Sequence, residues 1–467
     1  MVAYSRITEL KINSMTHAIR RLQTIATVLA SVLVVSGCAE SSLQEATGKG
    51  RIRGINSIAT SPELTFKIEE RGIGSVNYRA VAGFAAWDDL NYNFNFDLLL
   101  PGALNEDRIA SQIVDVFADI EYTLVLTGTL DNPSVLVWEQ AEREWDGTET
   151  VFEVDFVNLS PLLGQVDVYF AIEGTLPVAG NQVGTLSNGE RQPYLEFPEG
   201  DYEIIVTAPG DPATVIFQST GIPRLPAVRV TVALFDPDPS IVAAIGVNII
   251  SDGGSSQNLS DINTPPQVRT MHTAFGTVNF DGFFNNDFNN VIFPNVGFGE
   301  ISPYVDLTEI LTPLTLTPVG NIGAPLIEDE IQFITNIRRT IFLYGQPAEL
   351  FTRRLPHTGR QLSTFPVMRI TDLSSNTSLL DVYDVEAGTV LDDTVIPRFA
   401  GMITGLSTSF FDSSAGMREF VITLSGEKTP IATPLVLDLA NGNLIDMVIV
   451  DTVDPTVVEL QVFDSVL

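Results

Sequence analysis

Apolar residues in this chain recur at every second position, over short runs that stop at glycine, proline or asparagine. Val228, Val230, Val232 and Leu234 alternate with Arg229, Thr231 and Ala233, and Val458, Leu460 and Val462 alternate with Glu459 and Gln461. Period two marks a strand with one face in a core. Asp146-Gly147, Asn188-Gly189 and Asn441-Gly442 punctuate these runs as turns. Tyr122 to Gly128, Tyr202 to Gly210, Ile341 to Gly345 and Phe420 to Gly426 read as hairpins whose glycines supply backbone angles that other residues resist. One segment reads differently. Asn105 is placed to cap a helical turn carrying Ile109, Ile113, Val116 and Phe117 on one face.

The pattern repeats at domain scale. Asn158-Leu159-Ser160, Asp167-Val168-Tyr169 and Gly174-Thr175 recur without a gap as Asp372-Leu373-Ser374, Asp381-Val382-Tyr383 and Gly388-Thr389. Two weaker copies share the register. Arg269 to His272 is followed by Asp281 but has Phe288 in place of the glycine; Arg53 to Asn56 is followed by Thr65 and Gly72. Taking 53, 155, 269 and 369 as frame positions gives modules over 51–150, 151–262, 263–364 and 365–467. Copies of one unit are expected to fold alike. Pro193-Tyr194-Leu195-Glu196 and Pro303-Tyr304-Val305-Asp306 form a second shared signature. Short alternating strands in units of about 100 residues predict an all-β chain of four tandem immunoglobulin-like β-sandwich modules.

Val268 to His272, the D-V-Y-x4-G-T core and the later P-Y segment resemble domain of unknown function 4397. The resemblance covers most of residues 51–467 and is strongest in the second and fourth copies. It implies tandem β-sandwich modules of a secreted or lipid-anchored bacterial protein. No activity is established for that family, so it implies no site residues.

Residues 1–37 read as a signal peptide whose natural start is Met15. Arg20-Arg21 form its positive region, Ile25 to Val35 its apolar stretch and Ser36-Gly37 its small residues before cleavage. The apolar run is well short of the ~20 residues that span a bilayer. Val35-Ser36-Gly37-Cys38 resembles a bacterial lipobox, which implies acylation of Cys38, the single cysteine; Ala39 after it favours the outer membrane by the same resemblance. Several acyl chains give a stable anchor. Residues 38–50 then read as lipidated cysteine and flexible tether, with a reach of ~20 Å.

Removing residues 1–37 takes away four basic residues and one acidic, moving the formal net charge from −33 to −36. Such a charge repels nucleic acid and anionic headgroups, so phosphate-binding functions fall away. Only four lysines occur (Lys11, Lys49, Lys67, Lys428), a composition that suits a salt-rich habitat or plain solubility. With Cys38 acylated no disulfide can form, and stability rests on burial.

Candidate chemistry is sparse. His272 and His357 sit in unrelated contexts, a strand start and an arginine-rich loop (Arg353, Arg354, Arg360), too few ligands for a transition metal. No G-x-S-x-G elbow occurs. Asp167, Asp281 and Asp381 recur at one position, with Tyr169 and Tyr383 two residues beyond. They read as a structural aspartate tied to a neighbouring turn, or as a weak calcium position on each module. Asn285 to Asn290 offers oxygen ligands for calcium but fails the EF-hand pattern, and Asp236-Pro-Asp-Pro239 reads as a stiff loop. No other cofactor is expected, and Gly174 and Gly388 are read as repeat-signature turn residues.

These features predict a non-catalytic, lipid-anchored outer-membrane array for binding or scaffolding, in adhesion, matrix or envelope attachment. The expected partners are the membrane through the lipid, and a glycan or an envelope protein. Two alternatives stay open: an enzyme or glycan-processing protein with a site between modules, and a periplasmic assembly factor. Convergent carboxylates with raised pKa in an inter-module cleft would favour the enzyme.

Overall fold

The computed structural model describes residues 45–466 apart from 225, 238–241 and 309–310, so the signal segment, Cys38 and most of the tether lie outside the described residues. The strands fall into four groups: Lys49–Asn56 to Asn132–Ala141, Val151–Asn158 to Ser256–Leu259, Gln267–His272 to Glu349–Pro356, and Val367–Asp372 to Val458–Val466. Each group is a two-sheet sandwich with its own apolar core. Leaving aside two short additions in module 2 (Ile222–Arg224 and Ser256–Leu259), all four share one topology. One sheet runs fourth–first–seventh–eighth strand and the other third–second–fifth–sixth. The chain is all-β with tandem sandwich modules.

The first and seventh strands pair in parallel at the centre of their sheet in every module: Arg51 with Glu121, Val154 with Val230, Val268 with Arg339, Arg369 with Asp446. These strands are buried on two faces, which is why Leu444–Asp451 and Arg229–Phe235 are buried throughout. One face packs on the module's own second sheet. The other packs on the neighbouring module. Ile55 and Val125 of module 1 meet Val157, Ala233, Phe235 and Ile250 of module 2. Met271, Phe342 and Leu355 of module 3 meet Leu373, Val448 and Val450 of module 4. Each such Val, Leu, Ile, Met or Phe side chain contributes about 1.5–3 kcal/mol on full burial. The array is therefore two face-to-face pairs, 1 with 2 and 3 with 4. The pairs touch as well: Asn336 accepts from the amides of Val242 and Ala243, and Arg360 donates to the carbonyls of Ala59 and Ser61.

The repeated word has a structural meaning at each letter. On the second strand Val166 and Val168 enter the core while Asp167 and Tyr169 lie on the sheet's other face, themselves buried, as do Asp381 and Tyr383 in module 4. The aspartate ties two segments together. Asp167 accepts from Thr185 of the third strand (2.5 Å) and from the Gly210 amide (2.7 Å). Asp281 accepts from the amides of Asn295 (2.8 Å) and Gly320 (3.1 Å), and Asp381 from those of Gly401 (2.8 Å) and Gly426 (2.9 Å). In module 1 the roles are exchanged across the same pair. Thr65 stands on the second strand and Asp97 opposite it on the fifth, where Lys67 and Arg108 hold the carboxylate.

The frame residues three places on, Asn56, Asn158, His272 and Asp372, share one task despite their different chemistry. Each accepts the amide two residues later, from Ile58, Ser160, Ala274 and Ser374. His272 does so through Nδ1, so its Nε2–H faces the Val278 carbonyl. Burial pulls its pKa down, against the backbone bonds at Val278 and Thr277.

Four sequence expectations are corrected. Asp107–Asp115 is the sixth strand of module 1, not a helix; it pairs with Asn91–Leu98, burying Val114 while Ile113 points outward. Cross-strand pairing outweighs the helical spacing of the apolar residues. Gly72 is not the counterpart of Gly174 and Gly388: module 1 turns earlier, at Glu69-Glu70, with Glu69 in the left-handed region (φ 49°). Lys49 and Gly50 belong to the first strand rather than the tether. The four glycine hairpins are two different ones. Gly128 and Gly345 join the seventh and eighth strands of modules 1 and 3, while Gly210 and Gly426 follow the fifth strands of modules 2 and 4.

Candidate functional site

Charged groups converge where the modules face one another, and the frame positions supply them. In every module an aromatic ring on or just before the fourth strand carries a guanidinium on its face. Arg53 lies over Phe84 (4.6 Å), Arg229 over Tyr194 (4.8 Å), Arg269 over Tyr304 (4.5 Å) and Arg369 over Phe410 (4.3 Å). Such stacks contribute about 0.5–2 kcal/mol, more as the cation is desolvated. The two P-Y signatures thus place their tyrosines under junction arginines. Module 2 has Asp155 at the frame position, and Arg229 enters from the paired seventh strand instead.

Between modules 1 and 2, Arg53 is 1% exposed. Its Nε donates to Thr123 of its own module and its Nη2 to Thr231 of the next, each at 2.9 Å. Arg229 donates to Glu153 beside it (2.5 Å) and across the junction to Glu121 (3.0 Å) and the Ala141 carbonyl (3.0 Å). Arg51 completes Glu121 at 2.9 Å, and Arg191 donates to Asp155 at 2.6 Å. Burial pushes the Tyr194 hydroxyl up to about 12, with Asp155 adding to the effect. Burial, then Glu121, pushes Asp252 up to about 6, and Asp252 lies 4.0 Å from Arg53.

Two glycines meet edge to edge at this junction. A Cβ on Gly254 would lie 2.7 Å from the Gly83 Cα, and Gly254 has φ +83°. Gly254→Val is therefore expected to cost about 1–3 kcal/mol from backbone strain alone, and to force modules 1 and 2 apart. Urea denaturation checks the first effect, and the hydrodynamic radius of the folded chain checks the second.

Between modules 3 and 4 a cleft of about 260 Å³ is lined by Arg269, Tyr304, Arg338, His357 and Asp464. Asp464 Oδ2 lies 2.5 Å from both Arg269 Nη2 and His357 Nε2. Burial works against its charged form, but the bonds from His357 and Arg269 hold the carboxyl down at about 2. Arg369 makes a bidentate pair with Asp446 (2.6 and 2.9 Å) and donates to the Pro356 carbonyl of module 3 (2.9 Å). Buried ion pairs of this kind hold their elements in place strongly once formed, because losing one partner strands the other. The arrangement orients and clamps. The carboxylates of this cleft are spent on arginine and histidine.

Of the residues weighed for chemistry in the sequence, His357 reaches the 3–4 junction, beside Tyr304 of the second P-Y signature. Asp167, Asp281 and Asp381 sit apart on the outer sheets, each engaging an amide with one oxygen and a second donor with the other. For Asp381 burial opposes ionisation, yet the Gly426 and Gly401 amides hold the carboxyl below its ordinary range. Among the described residues no group of three or more His, Cys, Asp or Glu is placed to hold a metal. Calcium against chelator is expected to leave the melting temperature unchanged. Asp381→Ala is expected to destabilise module 4 by about 3 kcal/mol, since two charge-assisted bonds are lost; thermal unfolding measures both effects.

Arg53, Arg229, Arg269, Arg369 and Asp464 are the site residues that the sequence reading passed over. For Arg53, Arg269 and Arg369 a signal was present, an arginine recurring at one frame position inside apolar strands of a strongly acidic chain; Arg229 and Asp464 stand outside that register.

No protein-family model matches this chain, and no curated protein matches it. Among solved structures, the Bacillus anthracis TIE protein aligns with 87% of this chain and 69% of its own at 9% identity, with a TM-score of 0.15, a likeness that carries no argument.

Proposed function

We propose that this chain is a non-catalytic, lipid-anchored scaffold or binding protein of the outer membrane, built from modules like domain of unknown function 4397. One observation carries the reading: the strongly interacting charges at the two junctions are committed to joining modules, Arg229 to Glu121 across one and Arg269 to Asp464 across the other. A lipid on Cys38 would hold the two pairs at the membrane, leaving the variable loops and the acidic outer sheets to meet a glycan or an envelope protein.

Palmitate labelling of cells carrying the natural chain or Cys38→Ala tests the anchor; label retained by the variant would refute it. The binding role is tested with the soluble, Cys38-lacking protein on a glycan array and on purified envelope proteins. Saturable binding supports the scaffold reading. Turnover of an arrayed glycan without retention would instead support an enzyme.

A further inference from the structure

The shared word ends in Gly174-Thr175 and Gly388-Thr389, and in modules 2 and 4 it opens a loop whose aliphatic tips are more exposed than Val291, at 42%, in the same loop of module 3. This loop joins the second and third strands, and there Leu176 is 78% exposed, Val390 83% and Ile396 82%. Module 1 has the two-residue turn Glu69-Glu70 at this place. Module 3 has an asparagine-rich loop whose Phe288 folds back onto Phe283 at 5.3 Å.

The tips are held, not loose. Gly174 (φ +78°) and Gly388 (φ +85°) make the bend, and the next amides close it onto Ile172 (3.0 Å) and Glu386 (3.1 Å). Asn181 then braces Leu176 and Val178 from below (3.0 and 2.9 Å). Asp392 accepts from the Thr394 amide (2.8 Å), and Lys428 donates to the Val395 carbonyl. Each loop places an aliphatic directly before proline, Leu176-Pro177 and Ile396-Pro397, which fixes extended backbone there. Side chains held out in water on a braced loop bind with little ordering cost.

Resting on the binding reading above, we propose that these two loops are paired prongs for one protein partner, whose contact face offers apolar sockets rimmed by basic residues. The charge of the rim is set by the loops themselves. Glu173 flanks the first prong, and Glu386, Asp392 and Asp393 flank the second, all exposed on a chain of strongly negative charge, while the one cation of the second loop, Arg398, is paired with Asp412. That flank disfavours an anionic lipid surface and favours a cationic protein face. Two prongs on one chain add their contacts by avidity.

The test places a photo-crosslinking residue at position 176 or 390 of the full lipid-anchored chain in its own cells, with positions 104 and 322, exposed in modules 1 and 3, as controls. The same partner crosslinked from both prongs, with a basic contact peptide by mass spectrometry, supports the proposal. So does a loss of at least tenfold at position 390 when Leu176→Asp and Ile396→Asp are introduced, or when 0.5 M salt is added. Adducts at the controls alone overturn the prongs while leaving the binding reading standing. Adducts nowhere overturn both. Crosslinking to a second copy overturns the partner assignment, as does flotation of the soluble chain with phosphatidylglycerol–phosphatidylethanolamine vesicles that Leu176→Asp abolishes.

Discussion

Replacing Arg229 with alanine is expected to destabilise modules 1 and 2 by about 3–5 kcal/mol, the cost of stranding a buried charge. Arg229, Glu121 and Glu153 are all less than 10% exposed, so solvent screens little of this. The substitution removes the main cation facing Glu153, and the cation that reaches Glu121 across the junction. Arg51 and Arg143 remain, one on each carboxylate, and set the lower end of the range. Urea denaturation of the soluble chain measures the loss. Adding Glu121→Gln and Glu153→Gln should recover part of it, because neutral amides are cheaper to leave buried than carboxylates. A loss under 1 kcal/mol would mean that the junction does not form in solution.

The opposite sign is expected at Asp372, where Asp372→Asn should stabilise module 4. Asp372 is fully buried; its Oδ1 caps Ser374, while its Oδ2 has no partner. Burial, opposed by the Ser374 bonds, pushes its pKa up to about 6. The folded state therefore holds a proton that the unfolded state, with a pKa of about 3.9, gives up more readily. The contribution of Asp372 to stability is fully present below about pH 4 and is lost as pH rises through about 6. Two pH units correspond to about 3 kcal/mol, which asparagine should recover at pH 8 and not at pH 4. Modules 1 and 2 show why asparagine fits. Asn56 and Asn158 stand at this position and donate to the carbonyls of Val76 (3.3 Å) and Leu186 (3.2 Å) on the third strand. The register places Met402 at that point in module 4. Unfolding free energies at the two pH values decide the matter, and an equal effect at both would contradict it.

Much of the fold was legible because each strand obeys one rule over a few residues. The alternation at Val228 to Leu234, the turn glycines and the shared word are local, and local preference agrees with the final structure there. The helical reading of Asn105 to Phe117 failed where the decision is not local, since only the neighbouring strand Asn91–Leu98 settles it. The pairing of modules was harder to see for the same reason. An arginine at position 53 of an apolar strand looks like an ordinary outward-facing residue until a second sandwich covers it. The aspartates bond turn amides, which one of the two readings open in the sequence expects, yet the exchange of Thr65 and Asp97 needed cross-strand register that a single sequence does not contain. Asn, His and Asp at the capping position hide a common function because the backbone asks only for an acceptor.

Face-to-face pairing of modules by buried arginine chemistry is tested most directly by small-angle scattering from the soluble chain in dilute solution. A fully compact chain of this length has a radius of gyration of about 22 Å. The paired arrangement predicts a value under about 30 Å, unchanged by moderate salt; a value above about 40 Å, as independent modules strung end to end would give, would contradict it.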